Sequence, residues 1–135
     1  MIDPWPLWVQ PLAVSERIST THLGRRGEDA AASYLAGLGY HILVRNYRWR
    51  RGELDIVALD GATVAFVEVK LRREAGPAFE AVDFHKQRRL AGAALDFLAR
   101  SGMLEKPARF DVVAVNRRTL ECTLLRHAFD CPAAD

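Results

Sequence analysis

The spacing of apolar positions changes period along the chain, and each change marks an element. From Ser19 to Leu38, the residues Glu28, Ala31, Ala32, Leu35 and Leu38 recur at helical steps, with Gly39 as a stop. Extended segments follow: His41 to Trp49 alternates and is broken at Arg51-Gly52, and Glu53 to Leu59 and Thr63 to Leu71 are rich in apolar and β-branched residues. An Asp60-Gly61 pair between the last two predicts a hairpin. Arg72 to Ala81, with Gly76-Pro77, reads as a loop. A second helix is predicted over Asp83 to Arg100, with Asp83 as N-cap, Leu90, Ala93, Ala94, Phe97 and Leu98 as its stripe, and Gly102 as a stop. Two last strands, Arg109 to Val115 and Leu120 to His127, flank a turn at Asn116-Arg117-Arg118. The order is α-β-β-β-α-β-β, an α/β fold with a mixed central sheet of about five strands flanked by helices.

Ahead of these elements, Pro4, Pro6 and Pro11 interleave with Trp5 and Trp8, which forbids regular structure and predicts an extended arm over residues 1–20. Residues 21–130 read as one domain and 131–135 as a tail, since 135 residues suit a single core. No apolar run is long enough to span a bilayer, and the start lacks the basic-then-apolar pattern of a secretory signal. Cys122 and Cys131 are too few for a disulfide framework or a four-ligand zinc site; reduced thiols and a cytoplasmic location are the expectation.

Charges inside strands alter the picture. Asp55 interrupts Leu54-Asp-Ile-Val, and Glu68 and Lys70 interrupt Phe66-Val-Glu-Val-Lys. Buried charges need a partner or a metal. With Asp60-Gly61 as a two-residue loop, Asp55 would oppose Phe66 and Glu53 would oppose Glu68, so Glu53, Asp55, Glu68 and Lys70 would share one face. Carboxylates so placed, with no His or Cys beside them, suit Mg²⁺ or Mn²⁺, and such an ion can serve phosphodiester hydrolysis. Lys70 could orient or deprotonate the water, or neutralise the transition state. A buried ion-pair network, with Lys70 neutralising one acid, is the competing reading. Glu28, on the inward stripe of the first helix, adds a fourth carboxylate. Lys86, four residues before Leu90, either aims at the same place or snorkels to water.

The net charge is only +2, but arginine outnumbers lysine sixteen to three, and Arg45-Asn-Tyr-Arg-Trp-Arg-Arg51 carries two aromatics and no acid. Such a stretch is either a phosphate- and base-binding patch or a solvated strand surface. His22, His41, His85 and His127 lack metal-ligand spacing, and Asp111 reads as a structural hydrogen-bonding group.

Several motifs occur in order: Gly24-Arg-Arg-Gly-Glu28, Gly39-Tyr40, Arg45-Asn-Tyr-Arg48, Gly52-Glu-Leu-Asp-Ile-Val57, Phe66-Val-Glu-Val-Lys70, Arg109-Phe-Asp-Val-Val113 and His127-Ala-Phe129. Together, over about residues 22–129, they resemble the YraN family of predicted endonucleases, which is similar to archaeal Holliday-junction resolvases. The resemblance implies a restriction-endonuclease-like core. It implies metal binding and catalysis at Asp55, Glu68 and Lys70, with Glu28 as a helix-borne acid. Leu54 stands where the family often has proline, without moving the carboxylate.

The expected function is Mg²⁺- or Mn²⁺-dependent cleavage of DNA, with branched or flapped DNA as the first substrate class. Arg45, Arg48, Arg50, Arg72, Arg73, Lys86, Arg88 and Arg89 are the candidate nucleic-acid contacts. Two other readings compete: a non-catalytic nucleic-acid-binding module on the same fold, and an interaction subunit anchored by Trp5 and Trp8. A homodimer would suit a junction substrate, though no interface can be read from the sequence.

Overall fold

A computed structural model of the chain describes residues 22–50, 52–72 and 84–130. The proline-containing arm, the Asp83 cap, Arg73 and Cys131 lie outside the described residues. The elements are α1 (His22–Gly37), β1 (His41–Trp49), β2 (Gly52–Asp60), β3 (Thr63–Arg72), α2 (Phe84–Arg100), β4 (Ala108–Asn116) and β5 (Cys122–Phe129). This is the expected order, and the ends of α1 and α2 fall at the glycine stops. The last strand begins two residues later than expected because Leu120 belongs to the turn, with a positive φ of 64°.

The five strands form one mixed sheet in chain order, antiparallel except where β3 and β4 run parallel. A parallel pair needs a crossover, which α2 supplies. Parallel strands also need both faces covered. On one face α2 buries Leu90, Ala94 and Phe97 against Leu54, Val57, Phe66 and Val112. On the other, α1 buries Ala31 and Leu35 with Ile56, Ala65, Val67 and Val113. The result is an α/β core, a mixed five-stranded sheet with a helix on each face.

The β2–β3 hairpin corrects the expected register. Asp60 pairs with Thr63 and Val57 with Phe66, so the two-residue loop is Gly61-Ala62. Gly61 takes the positive φ of 61° that the first position of such a loop favours. The pairing is displaced by two residues from the expectation. A two-residue displacement keeps every side chain on its face. Extended past the last recorded pair, Ile56 with Val67, this register sets Asp55 against Glu68.

Alternation slips at the same level of the sheet. Leu54 and Val57 both pack beneath α2, whereas Ile56 packs beneath α1. Across the β1–β2 pair, where Arg45 lies opposite Ile56 and Tyr47 opposite Leu54, Asn46 takes a positive φ of 57°. Asparagine tolerates that conformation better than most residues.

Candidate active site

A cavity of about 220 Å³ opens between α2 and the start of the β2–β3 hairpin, lined by Gly52, Glu53, Asp55, Glu68, Lys86, Arg89 and Leu90. The strands supply three carboxylates, and Lys86 and Arg89, one helical turn apart on α2, supply two cations. The helix comes this close because residue 52 is glycine: a Cβ there would lie 2.7 Å from the backbone oxygen of Arg89.

Each main acid is held differently. Asp55 Oδ2 accepts the backbone N–H of Val69 at 2.8 Å, a tie between β2 and β3 beyond their last ladder pair. Glu68 is only 8% exposed, and its Oε1 meets Lys86 Nζ at 2.7 Å. Burial is the main cause holding the Asp55 carboxyl well above the usual carboxylate range. The negative charge of Glu68 adds to this and Glu28 contributes, while the Val69 N–H and Lys86 oppose it.

Glu28 is thus near enough to act on Asp55, but it does not line the cavity; its Oε1 lies 3.8 Å from Arg45 Nη2. Arg45 also donates to Asp29 Oδ1 at 2.8 Å, so this arginine ties β1 to α1. Lys70, two residues beyond Glu68 on β3, is not among the lining residues. Among the described residues, no three His, Cys, Asp or Glu side chains form a group that could hold a metal ion. The expected set of Asp55, Glu68 and Glu28 is therefore not assembled as a three-carboxylate cluster. Of that set, Asp55 and Glu68 line the cavity and Glu28 does not; the third carboxylate of the lining is Glu53. The hard oxygen donors of Asp55 and Glu68 fit Mg²⁺, which is commonly held by one or two carboxylates with water and substrate oxygens.

Arg48, Arg50 and Arg89 are exposed, and Arg72 and Arg88 are half-buried. Arg50 lies over the Trp49 ring at 5.3 Å and Arg88 over Phe84 at 5.8 Å. Arg73 lies outside the described residues.

Asp111 faces the opposite side of the sheet. It accepts from the Tyr40 hydroxyl at 3.0 Å, from Arg109 Nε at 2.9 Å and from the His127 backbone N–H at 2.9 Å. Arg109 reaches on to Asp60 at 2.6 Å, so this group braces the sheet and takes no part in the cavity. Two features escaped the sequence reading. Gly52 is a wall of the cavity, and Asn46 carries a buried Nδ2 with no hydrogen-bond partner among the described residues. The residue type was the only available signal for either one.

The model of "Uncharacterised protein family UPF0102" matches residues 27–115. The chain belongs to this family. A UPF0102 protein of Geobacter sulfurreducens is 51% identical over 108 residues, covering 78% of this chain and 84% of the relative. One from Geotalea uraniireducens is 44% identical over 117 residues, covering 85% and 92%. A third, from Symbiobacterium thermophilum, is 48% identical over 112 residues, covering 79% and 95%. UPF0102 membership accords with the YraN-like resemblance and with a nuclease-like fold. The matched stretch contains Glu28, Asp55, Glu68, Lys70, Lys86 and Arg89 and ends within β4. Among the described residues, no helix is long and apolar enough to cross a membrane.

Proposed function

We propose that this UPF0102 protein is a divalent-metal-dependent endonuclease that hydrolyses phosphodiester bonds of DNA, with branched or flapped DNA as its substrate class. The observation that carries this reading is the meeting of Asp55 and Glu68 in one cavity beneath two cations of α2. Asp55 and Glu68 would hold Mg²⁺ or Mn²⁺, with Glu28 supporting them through its charge. When bound, the metal supplies water activation and charge stabilisation at the phosphorus. The Val69 N–H fixes the Asp55 carboxylate, and the small exposure of Glu68 keeps competing water from it. Lys70 is assigned to the attacking water or the developing phosphate charge. Arg48, Arg50, Arg72, Arg73, Arg88 and Arg89 are assigned to the nucleic-acid backbone. Arg45, held by Asp29, is assigned to bracing β1 against α1.

A non-catalytic DNA-binding module is the second reading, favoured by the lack of a three-ligand group among the described residues. The two separate in an assay on four-way junction, flap, single-stranded and duplex DNA with Mg²⁺, Mn²⁺ or chelator. The wild type is expected to cut at least one substrate only with metal. Glu68→Gln and Lys70→Ala are each expected to lose about 100-fold or more in rate. Cleavage unchanged in both variants would sink the site assignment. Salt-sensitive binding without cleavage, indifferent to chelator, would establish the binding module.

A further inference from the structure

We propose that Lys86 is an exchangeable cation: it neutralises Glu68 until a divalent ion binds there, and then moves to a substrate phosphate. This rests on the metal-dependent reading above and adds to it a role for a helix residue outside the Asp…Glu-x-Lys pattern. Three observations carry it. Lys86 Nζ is in direct contact with Glu68 Oε1, at 2.7 Å. The two partners are unequal, since the Lys86 side chain is 41% exposed and the Glu68 side chain 9%. Lys86 also stands on the cavity lining one turn from Arg89, so two cations face the space beside the acids.

The inequality gives the exchange its direction. Glu68 is nearly closed off from water, so it cannot lose its partner without another cation in place. Lys86 loses little by leaving, because an ammonium on a flexible four-carbon stem is readily rehydrated. Arg45 offers a contrast within the same chain: its side chain is 16% exposed and sits between Asp29 and Glu28, an arrangement suited to a fixed brace. A divalent ion at Glu68 would repel Lys86, and a phosphate arriving at the same cavity would compensate the displaced charge.

The full-length chain is titrated with Mn²⁺, free Mn²⁺ being read by electron paramagnetic resonance, for wild type, Lys86→Met, Lys86→Arg and Glu68→Gln. Flap-DNA binding is followed by fluorescence anisotropy from low to high salt. Lys86→Met keeps most of the apolar stem and is expected to bind Mn²⁺ about tenfold tighter, since a competing charge is gone. The same variant is expected to bind DNA more weakly, with a log–log salt slope shallower by about one. Lys86→Arg keeps the charge and should keep the wild-type salt slope. If Lys86→Met leaves Mn²⁺ affinity unchanged or lowers it, or leaves the salt slope unaltered, Lys86 is a fixed ion-pair partner and the exchange is wrong. Glu68→Gln separates the layers. Mn²⁺ binding lost in that variant with no response from Lys86→Met overturns only the exchange. Mn²⁺ binding equal in wild type and Glu68→Gln, or absent from both, overturns the metal site and the exchange with it. Should Lys86→Met fail to fold by circular dichroism, Lys86→Gln carries the same comparison.

Discussion

Asp55 is a carboxyl whose proton is held more tightly in the folded chain than in the unfolded one, because burial and the charge of Glu68 both disfavour ionisation. A pKa raised on folding contributes stability at pH values below the ordinary carboxylate range, near 4, and that contribution is lost as pH rises through the raised value. Asp55→Asn removes the charge and keeps an oxygen for the Val69 N–H. Its melting temperature at pH 8 is expected to exceed the wild type's by about 3 °C, for a gain of about 1 kcal/mol. The difference should close toward pH 4. Thermal melts across that range check this, and a lower melting temperature for Asp55→Asn at pH 8 would contradict it. The acid was visible in the sequence because a charge inside an apolar strand stands out. Lys86, which pairs with the neighbouring Glu68, was less so: it fits equally well as a solvent-facing residue at a helix start.

At the scale of elements, the site depends on how closely α2 lies against β2. Gly52→Ala would drive a methyl group to 2.7 Å from the Arg89 backbone oxygen, and backbone cannot turn aside as a side chain can. The expected cost is about 1–3 kcal/mol in urea unfolding, with α2 lifted and the Lys86–Glu68 contact lengthened. A melt equal to the wild type's would mean that the helix has more room than this geometry allows. The strands themselves were legible because alternation and β-branched residues mark them. Their register was not. Asp-Gly is a favoured loop pair, but the chain closes on Gly61-Ala62 and leaves Asp60 in the ladder, where its carboxylate meets Arg109. The shared face of Asp55 and Glu68 survived because the displacement was even. A displacement of one residue would have parted them. The tie between Arg45 and Asp29 was not foreseeable, since it depends on how α1 is set against β1.

For the whole molecule, the sheet is held from both sides, and the α2 side carries most of the aromatic packing. Phe97 is fully buried and meets Tyr47 and Phe66 edge-on, with centroids 5.4 and 6.1 Å away. Beside it, the Tyr47 hydroxyl donates to Asp96, which also pairs with Arg100 at 3.3 Å. Phe97→Ala is expected to cost about 3–5 kcal/mol, measured as a lower denaturation midpoint. A loss under 1 kcal/mol would show that the helix closes over the gap. The overall architecture was readable because seven elements each carried a clear period. The brace around Asp111 was readable only in part: its structural role was expected, but partners as distant in sequence as Tyr40 and His127 appear only once the strands are side by side.

Among the described residues, those lining the cavity run from Gly52 to Leu90. One hairpin and the first turns of the following helix therefore carry the acids and cations of the proposed metal site, while α1, β1, β4 and β5 surround them. An arrangement this local can be exchanged as a unit. A segment spanning those residues, moved between UPF0102 relatives, would bring its own acids and cations together with the glycine that lets them meet. Differences in substrate preference between relatives would then travel with that segment, leaving the frame free to drift.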